Sequence, residues 1–265
     1  NSIMIDGGFD NGHYSLGYNQ SNTTGILPNS KLDNHKLNFA AGYDVSEKLT
    51  VDASIQYSRT DGRARPSTGY GTIFSEFRQW WATNVDIEKQ RQAYFRNRNN
   101  NSWNWAPGQA GEGPIYWNNL FWDRYENFAT DERDRYFGYA EARYDVADWL
   151  SFTGRVAIDS YSQMIEERQN KQSVGVPTYT QRRQNFTEYN YDVLANYNKQ
   201  LTDAIGISGV VGANIRRNKT VGITAQTNGG LVVPGLYSLD NSINQIQYPN
   251  ETDRQLGVNG YFASL

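Results

Sequence analysis

The chain has no cysteine, two histidines and two methionines in 265 residues. Without thiols it can build neither a disulfide framework nor a thiolate metal site. His13 and His35 are not in an HExxH helix pattern, so no zinc site is expected and no other metal or cofactor is nominated. No apolar run approaches the roughly eighteen residues of a membrane helix. A net charge of −3 with no basic stripe gives nucleic acid nothing to hold. Nucleophile motifs are missing, the carboxylates are scattered, and the glycine clusters at Gly7–Gly12 and Gly111–Gly113 lack phosphate-loop spacing. No catalytic residue is nominated, and the chain is not expected to be an enzyme. It opens at Asn1 without a leader-like stretch and stops at Leu265 inside an alternating run, so it is expected to be a piece of something longer.

What the sequence has in quantity is tyrosine, 19, and glycine, 24, in a chain of low mean hydropathy, −0.75. Its pattern is clearest from Arg135 to Met164. Tyr136, Gly138, Ala140, Ala142, Tyr144 and Val146 alternate with Arg135, Glu141, Arg143 and Asp145. After Ala147-Asp148-Trp149, Leu150, Phe152, Gly154, Val156, Ile158 and Met164 alternate with Ser151, Thr153, Arg155, Asp159 and Gln163. Strand side chains point to opposite faces with period two, so each arm has one apolar and one charged face. The short link predicts an antiparallel hairpin. Both arms exceed the usual strand of about five to six residues. They are long enough to cross a bilayer, which takes about nine to eleven tilted residues with apolar outside and polar inside.

The same alternation predicts strands from Ser2, His13, Leu37, Leu49, Tyr189, Ile205 and near Asp253. About nine strands result. Their connections are short after Phe9, Val45, Val146 and Tyr197, and long after Asn19, Thr60, Glu166 and Arg217. The alternation vanishes over 61–130, a Trp-rich loop with short helices expected at Ile73 to Ala93, where Ile73, Phe77, Trp80 and Trp81 are spaced for one face. Further long loops are expected at about 168–185 and 220–252. Tight turns on one side and long loops on the other mark outer-membrane barrels. Two open edges are not tolerated in lipid, so the expected fold is all-β, part of one larger transmembrane barrel domain.

The phrases NSIMIDGGFDNGHYSLGYNQSNTTGILPNS, YDVSEKLTVDASIQYS, NLFWDRYENFATDERDRYFGYAEARYDVADWLSFTGRVAIDSY and GGLVVPGLYSLDNS occur in this order. Together they resemble the SusC/RagA-like branch of TonB-dependent outer-membrane transporters of Bacteroidetes. The resemblance implies a barrel of roughly 22 strands with an N-terminal plug. It also implies a TonB box, a SusD-like surface lipoprotein as partner, possible pairing of two transporter–lipoprotein units, and import of oligosaccharides or peptides. No plug-like segment or TonB box is visible in this sequence.

Three groups of residues follow as candidates. Trp80, Trp81, Trp103, Trp105, Tyr116, Trp117 and Trp122 fall in the large loop. Their amphipathic rings suit a ligand or partner platform, but an ordered loop of this length needs a core of its own, and that use comes first. Arg135, Glu141, Arg143, Arg155 and Asp159 would face the lumen, guiding a polar solute, holding the plug or pairing with one another. Tyr43, Tyr57, Tyr136, Tyr144, Trp149 and Tyr189 end the apolar stripes and read as a girdle at the lipid interface. The competing readings are a soluble secreted all-β carbohydrate-binding or structural protein and, with less support, a barrel-embedded hydrolase.

Overall fold

The computed structural model describes residues 1–105 and 113–265, so Gly111 and Glu112 lie outside the described residues. The architecture is all-β. One antiparallel sheet holds nine strands: β1 (Ser2–Phe9), β2 (Gly12–Thr24), β3 (Lys31–Ser46), β4 (Leu49–Arg63), β5 (Ala129–Ala147), β6 (Leu150–Gln169), β7 (Thr178–Thr202), β8 (Ile205–Gln226) and β11 (Asn250–Ser264). Each pairs with its sequence neighbour in the sheet, and β1 and β11 are the two edges. A small hairpin, β9 (Asn228–Leu231) with β10 (Ser242–Asn244), stands apart in the last loop.

The strands are longer than the alternation predicts. β6 continues to Gln169 and β7 starts at Thr178, so the loop expected at about 168–185 covers only 170–177. β8 likewise runs to Gln226, leaving 227–249 where a loop over 220–252 is expected. The reason is the ladder. Polar residues such as Lys219 and Thr220 stay extended because β7 and β11 pair on either side, with Thr220 opposite both Phe186 and Arg254. At about 3.3 Å per residue, the 25 residues of β7 reach about 80 Å.

All tight turns lie at one end, at Asp10-Asn11, Glu47-Lys48, Asp148-Trp149 and Asp203-Ala204. Three carry a register shift beside them, between Asp44 and Ser46, Asp145 and Ala147, and Gln200 and Thr202. Such bulges strengthen the local twist that lets a sheet curve.

Register fixes the two faces. Ile55 opposes Phe39 and Gly138, Ile158 opposes Gly138 and Tyr189, and Ile215 opposes Tyr191. One continuous face is therefore aliphatic and aromatic. Among the described residues no second layer covers it: Ile55 is 48% exposed, Val156 48%, Val193 60% and Val211 54%. The chain exposes 17091 Å². A compact monomer of this mass would expose roughly 11,700 Å² by the usual area–mass scaling. The buried apolar residues Ala64, Tyr94, Leu120, Trp122, Tyr179, Ala225 and Leu231 all sit at the loop end. Among the described residues the sheet is a single layer, and the packed core belongs to its loops.

Candidate functional site at the loop end of the sheet

Between β4 and β5 the chain folds into a helical module. α1 (Ile73–Ser75) runs directly into a π turn, Glu76–Trp80; α2 (Ile87–Asn97) and α3 (Leu120–Tyr125) follow. Asp86 starts α2 by accepting from the Glu88 and Lys89 amides, and Arg98 ends it in the left-handed region at φ 57°. Asn119 caps α3 through the Phe121 and Trp122 amides. Its side-chain amide donates to Gln90 O at 2.8 Å and Asn101 O at 2.6 Å, so one buried residue joins α2, α3 and the segment between them.

The expected apolar face through Ile73, Phe77, Trp80 and Trp81 is not the buried one. Phe77 and Trp80 are exposed, while Ser75 and Glu76 are buried. The π turn rotates the residues out of the 3.6-residue period and points Glu76 inward. There one carboxylate oxygen accepts from the Trp103 indole at 3.1 Å, and the other has no partner. Burial pushes Glu76 up to about 7, the Trp103 hydrogen bond opposing and nearby Asp123 adding to the shift.

The module is bolted to neighbouring loops by a buried arginine. Arg124 donates to Pro28 O at 3.1 Å, to Ser30 Oγ at 2.6 Å and to Ala64 O, while Asn29 donates back to Arg124 O at 2.7 Å. On the other side, Asn127 accepts from the Asn170 amide and the Ser173 hydroxyl, each at 2.8 Å.

A cavity of about 940 Å³ opens between this module and the loop-side ends of β5, β6 and β7. One wall is aromatic: Tyr70, Trp80, Tyr116, Trp117 and Phe128. The other is polar, with Arg65, Asp123, Arg168, Asn118 and Asn127 among its groups. Arg65 is held by Asp131 at 3.1 Å and Arg168 by Glu166 at 2.8 Å. Burial pushes Asp123 up to about 6, against hydrogen bonds from Asn127 and Asn118. Such a site binds by ring stacking and amide hydrogen bonds.

The loop aromatics divide by environment. Trp80, Tyr116 and Trp117 line the cavity, with Trp117 edge-on to Tyr70. Trp122 is buried, donates to Ser173 Oγ at 2.8 Å and packs edge-on against Tyr94, so it is loop core. Trp81 packs between Phe77 and Trp103, and Trp105 bridges to Pro114. The arrangement adds Tyr70, Phe128, Asp123 and Arg168 to the cavity. Phe128 and Arg168 sit at strand ends, Asp123 on a six-residue helix and Tyr70 in the segment between β4 and α1, where periodicity carries no signal.

Below the cavity, the polar face of β5–β8 carries a ladder of pairs. Arg135 binds Asp159 through two bonds, 2.8 and 2.6 Å, and Arg155 binds Glu141 at 2.6 Å. Arg143 pairs along its own strand with Asp145 at 3.1 Å, and Arg216 pairs with Glu188 at 2.7 Å. Rings stack beneath the cations, Phe137 under Arg135 and Tyr139 under Arg155. The five predicted charged residues thus share one face; four of them pair with one another and Arg143 pairs with Asp145.

The apolar face has its own borders. Tyr57 and Tyr136 are opposite each other at its loop-side edge, Tyr144 lies opposite Leu49 near the turns, and Tyr43, Trp149 and Tyr189 are also exposed at its margins. Beyond Tyr57 the same face turns ionic. Tyr57 donates to Asp134 at 2.5 Å, and Arg59 reaches Asp61, Glu132 and Asp134 at 3.1, 3.5 and 3.4 Å.

A single-layer antiparallel sheet with one apolar face, one ionised face and all its tight turns at one end is part of a β-barrel wall. Solved structures share this fold. The structure of the RagAB peptide transporter superposes with a TM-score of 0.73 at 11% identity, covering 99% of this chain and 29% of that one. The RagAB peptide importer in its closed-closed and open-open states gives 0.70 at 12% identity, again over 99% of this chain. The chain therefore spans under a third of the length of the structures it matches. No family model and no curated protein matches the sequence.

Proposed function

We propose that this chain is part of the wall and outer loops of an outer-membrane barrel, and that the whole protein imports a bulky polar nutrient. One observation carries the reading: the exposed apolar face between tyrosine borders, backed by a face of ion pairs. In water that apolar area would be an aggregation surface far larger than ordinary exposed patches. Against lipid it is the outside of a barrel, and the ion-paired face is the lumen. A soluble sandwich needs a second sheet over the apolar face.

In this reading the turn end is periplasmic and the helical module and cavity face outward. Binding and gating are the protein's work, and no catalytic step is assigned. A SusD-like surface lipoprotein is the partner at the outward end, where Phe74, Phe77 and Tyr70 are exposed. Energy comes from TonB through a region outside this chain, and two transporter–lipoprotein units pair. Oligosaccharide or peptide is the cargo class.

The deciding measurement is the mass and extraction behaviour of the native polypeptide. A chain several times larger than 30.2 kDa that leaves outer membranes only with detergent is expected. A soluble monomer of 30.2 kDa would refute the proposal.

A further inference from the structure

We propose that the ion-paired face of β5–β7 carries a binding site for a carboxylate group, made by Arg133 and Arg182 around Gln163 and Gln184. The site rests on the transporter reading in one respect, that this face is the lumen, and it would give the cargo an anionic end.

The arginines of this face differ in what satisfies them. Arg135, Arg143, Arg155 and Arg216 on this face all close on carboxylates. Arg133 does not. Its guanidinium lies 4.7 Å from the centroid of the Tyr161 ring and donates to Gln163 Oε1 at 2.8 Å. Its Nε–H is buried without an acceptor, and among the described residues it forms no ion pair. A guanidinium that closes on no carboxylate, on a face where four others do, has charge left for a ligand to pair. Arg182 is exposed and also unpaired among the described residues.

Register brings the two together. Arg133 is opposite Gln163, Gln163 is opposite Gln184, and Arg182 is two residues further along β7. Two strands across and two residues along place the two Cα atoms about 12 Å apart, a gap that two arginine side chains close from either side. The platform between them is fixed. Tyr161 stacks on Phe186 with centroids 5.3 Å apart, and Gln184 donates to the Tyr161 hydroxyl at 2.8 Å.

Three of the carboxylates nearby are paired. Asp131 is taken by Arg65, Asp159 by Arg135 and Glu188 by Arg216. Glu167, exposed and unpaired among the described residues, lies opposite Thr180 at the cavity floor, two residues nearer the loops than Arg182. It repels an anion from the cavity end and favours it beside Arg133. A planar carboxylate matches the guanidinium fork and pairs both cations; a neutral amide or hydroxyl satisfies none of the charge.

The test is calorimetry on the full-length protein in detergent, with tri-alanine and tri-alanine amide as probes and succinate as competitor. The acid should bind at least tenfold more tightly than the amide and be displaced by succinate. Arg133→Gln should shrink the acid–amide ratio below twofold, Arg182→Gln should lower it in part, and Arg133→Lys should restore part of it. Equal binding of acid and amide by the wild type, binding of neither, or an unchanged ratio in Arg133→Gln would overturn the site. None of these outcomes touches the transporter reading, which falls only if the protein proves soluble without detergent.

Discussion

Asn119 offers the most direct test of how the outer module is built. Its side chain donates to Gln90 O and Asn101 O and accepts from the Phe121 and Trp122 amides at 2.8 and 3.4 Å, with no exposure to solvent. Asn119→Ala removes the α3 cap, which costs about 1 kcal/mol, and takes a donor from two part-buried carbonyls, at about 1 kcal/mol each. Allowing for relaxation, the module should open about 3 kcal/mol more readily, roughly 150-fold. The sheet should not notice, since none of these bonds involves a strand of it. Limited trypsin digestion reports the opening, because Lys89, Arg91, Arg96 and Arg98 all lie on or just after α2. Faster cleavage there with an unchanged heat-denaturation profile of the barrel is expected. Asn119→Asp, which keeps the capping oxygen but not the donors, should fall between. If Asn119→Ala leaves the α2 cleavage rate within twofold of wild type, the view of Asn119 as the joint of the module is wrong.

Two other perturbations test separate links. Glu76, with its pKa raised from the ordinary carboxylate value to about 7, binds its proton more tightly folded than unfolded. Module stability should therefore fall as pH rises from about 4.5 to about 7 and then level, by up to ~3 kcal/mol. Asp123 acts in the same direction at lower pH. Digestion at pH 8 should be faster than at pH 5.5, and Glu76→Gln should flatten the profile; a profile unchanged by that substitution would contradict the burial of an ionisable Glu76. On the sheet, a side chain at Gly138 would collide with the β4 backbone at Ser54 and Ile55. Gly138→Val should reduce the yield of folded, heat-modifiable barrel on gels, whereas the same change at Gly154, where nothing is within 4 Å, should leave it intact.

Much of the sheet can be read from the residues, and the reason is physical. Period-two alternation survives wherever the two faces meet different surroundings, so Leu49–Tyr57, Tyr136–Val146 and Leu150–Ile158 declare themselves. On β5 and β7 both faces are polar beyond the tyrosine borders, so the contrast ends while the hydrogen-bond ladder goes on. That is why Asp131–Asp134 and Thr178–Asn185 are strand without a strand's pattern, whereas Val221, Ile223 and Ala225 keep the alternation at the end of β8, inside the stretch expected as loop. In the module the obstacle is different. α3 is one and a half turns capped by one asparagine among many, and the π turn buries Glu76 where spacing favours Phe77 and Trp80. The partners that satisfy Asn119, Arg124 and Trp122 come from segments as distant as Pro28 and Ser173, and no local pattern encodes them.

The strictly sequential strand order also has a bearing on how the protein is made. Seven of the eight neighbouring pairs in the sheet are joined by 23 residues or fewer, so hairpins can form as they emerge and join edge to edge. The exception is β4 with β5, whose pairing must close residues 64–128. Loop-closure entropy makes that step about 2 kcal/mol costlier than closing 25–30 between β2 and β3. Arg124 reaches across from the end of α3 to Ala64, just past β4, and Ala64 N bonds Ala129 O at the start of β5. A module that folds early would hold those two strand ends together. The outer loop would then serve as a clasp during assembly, well before anything binds to it.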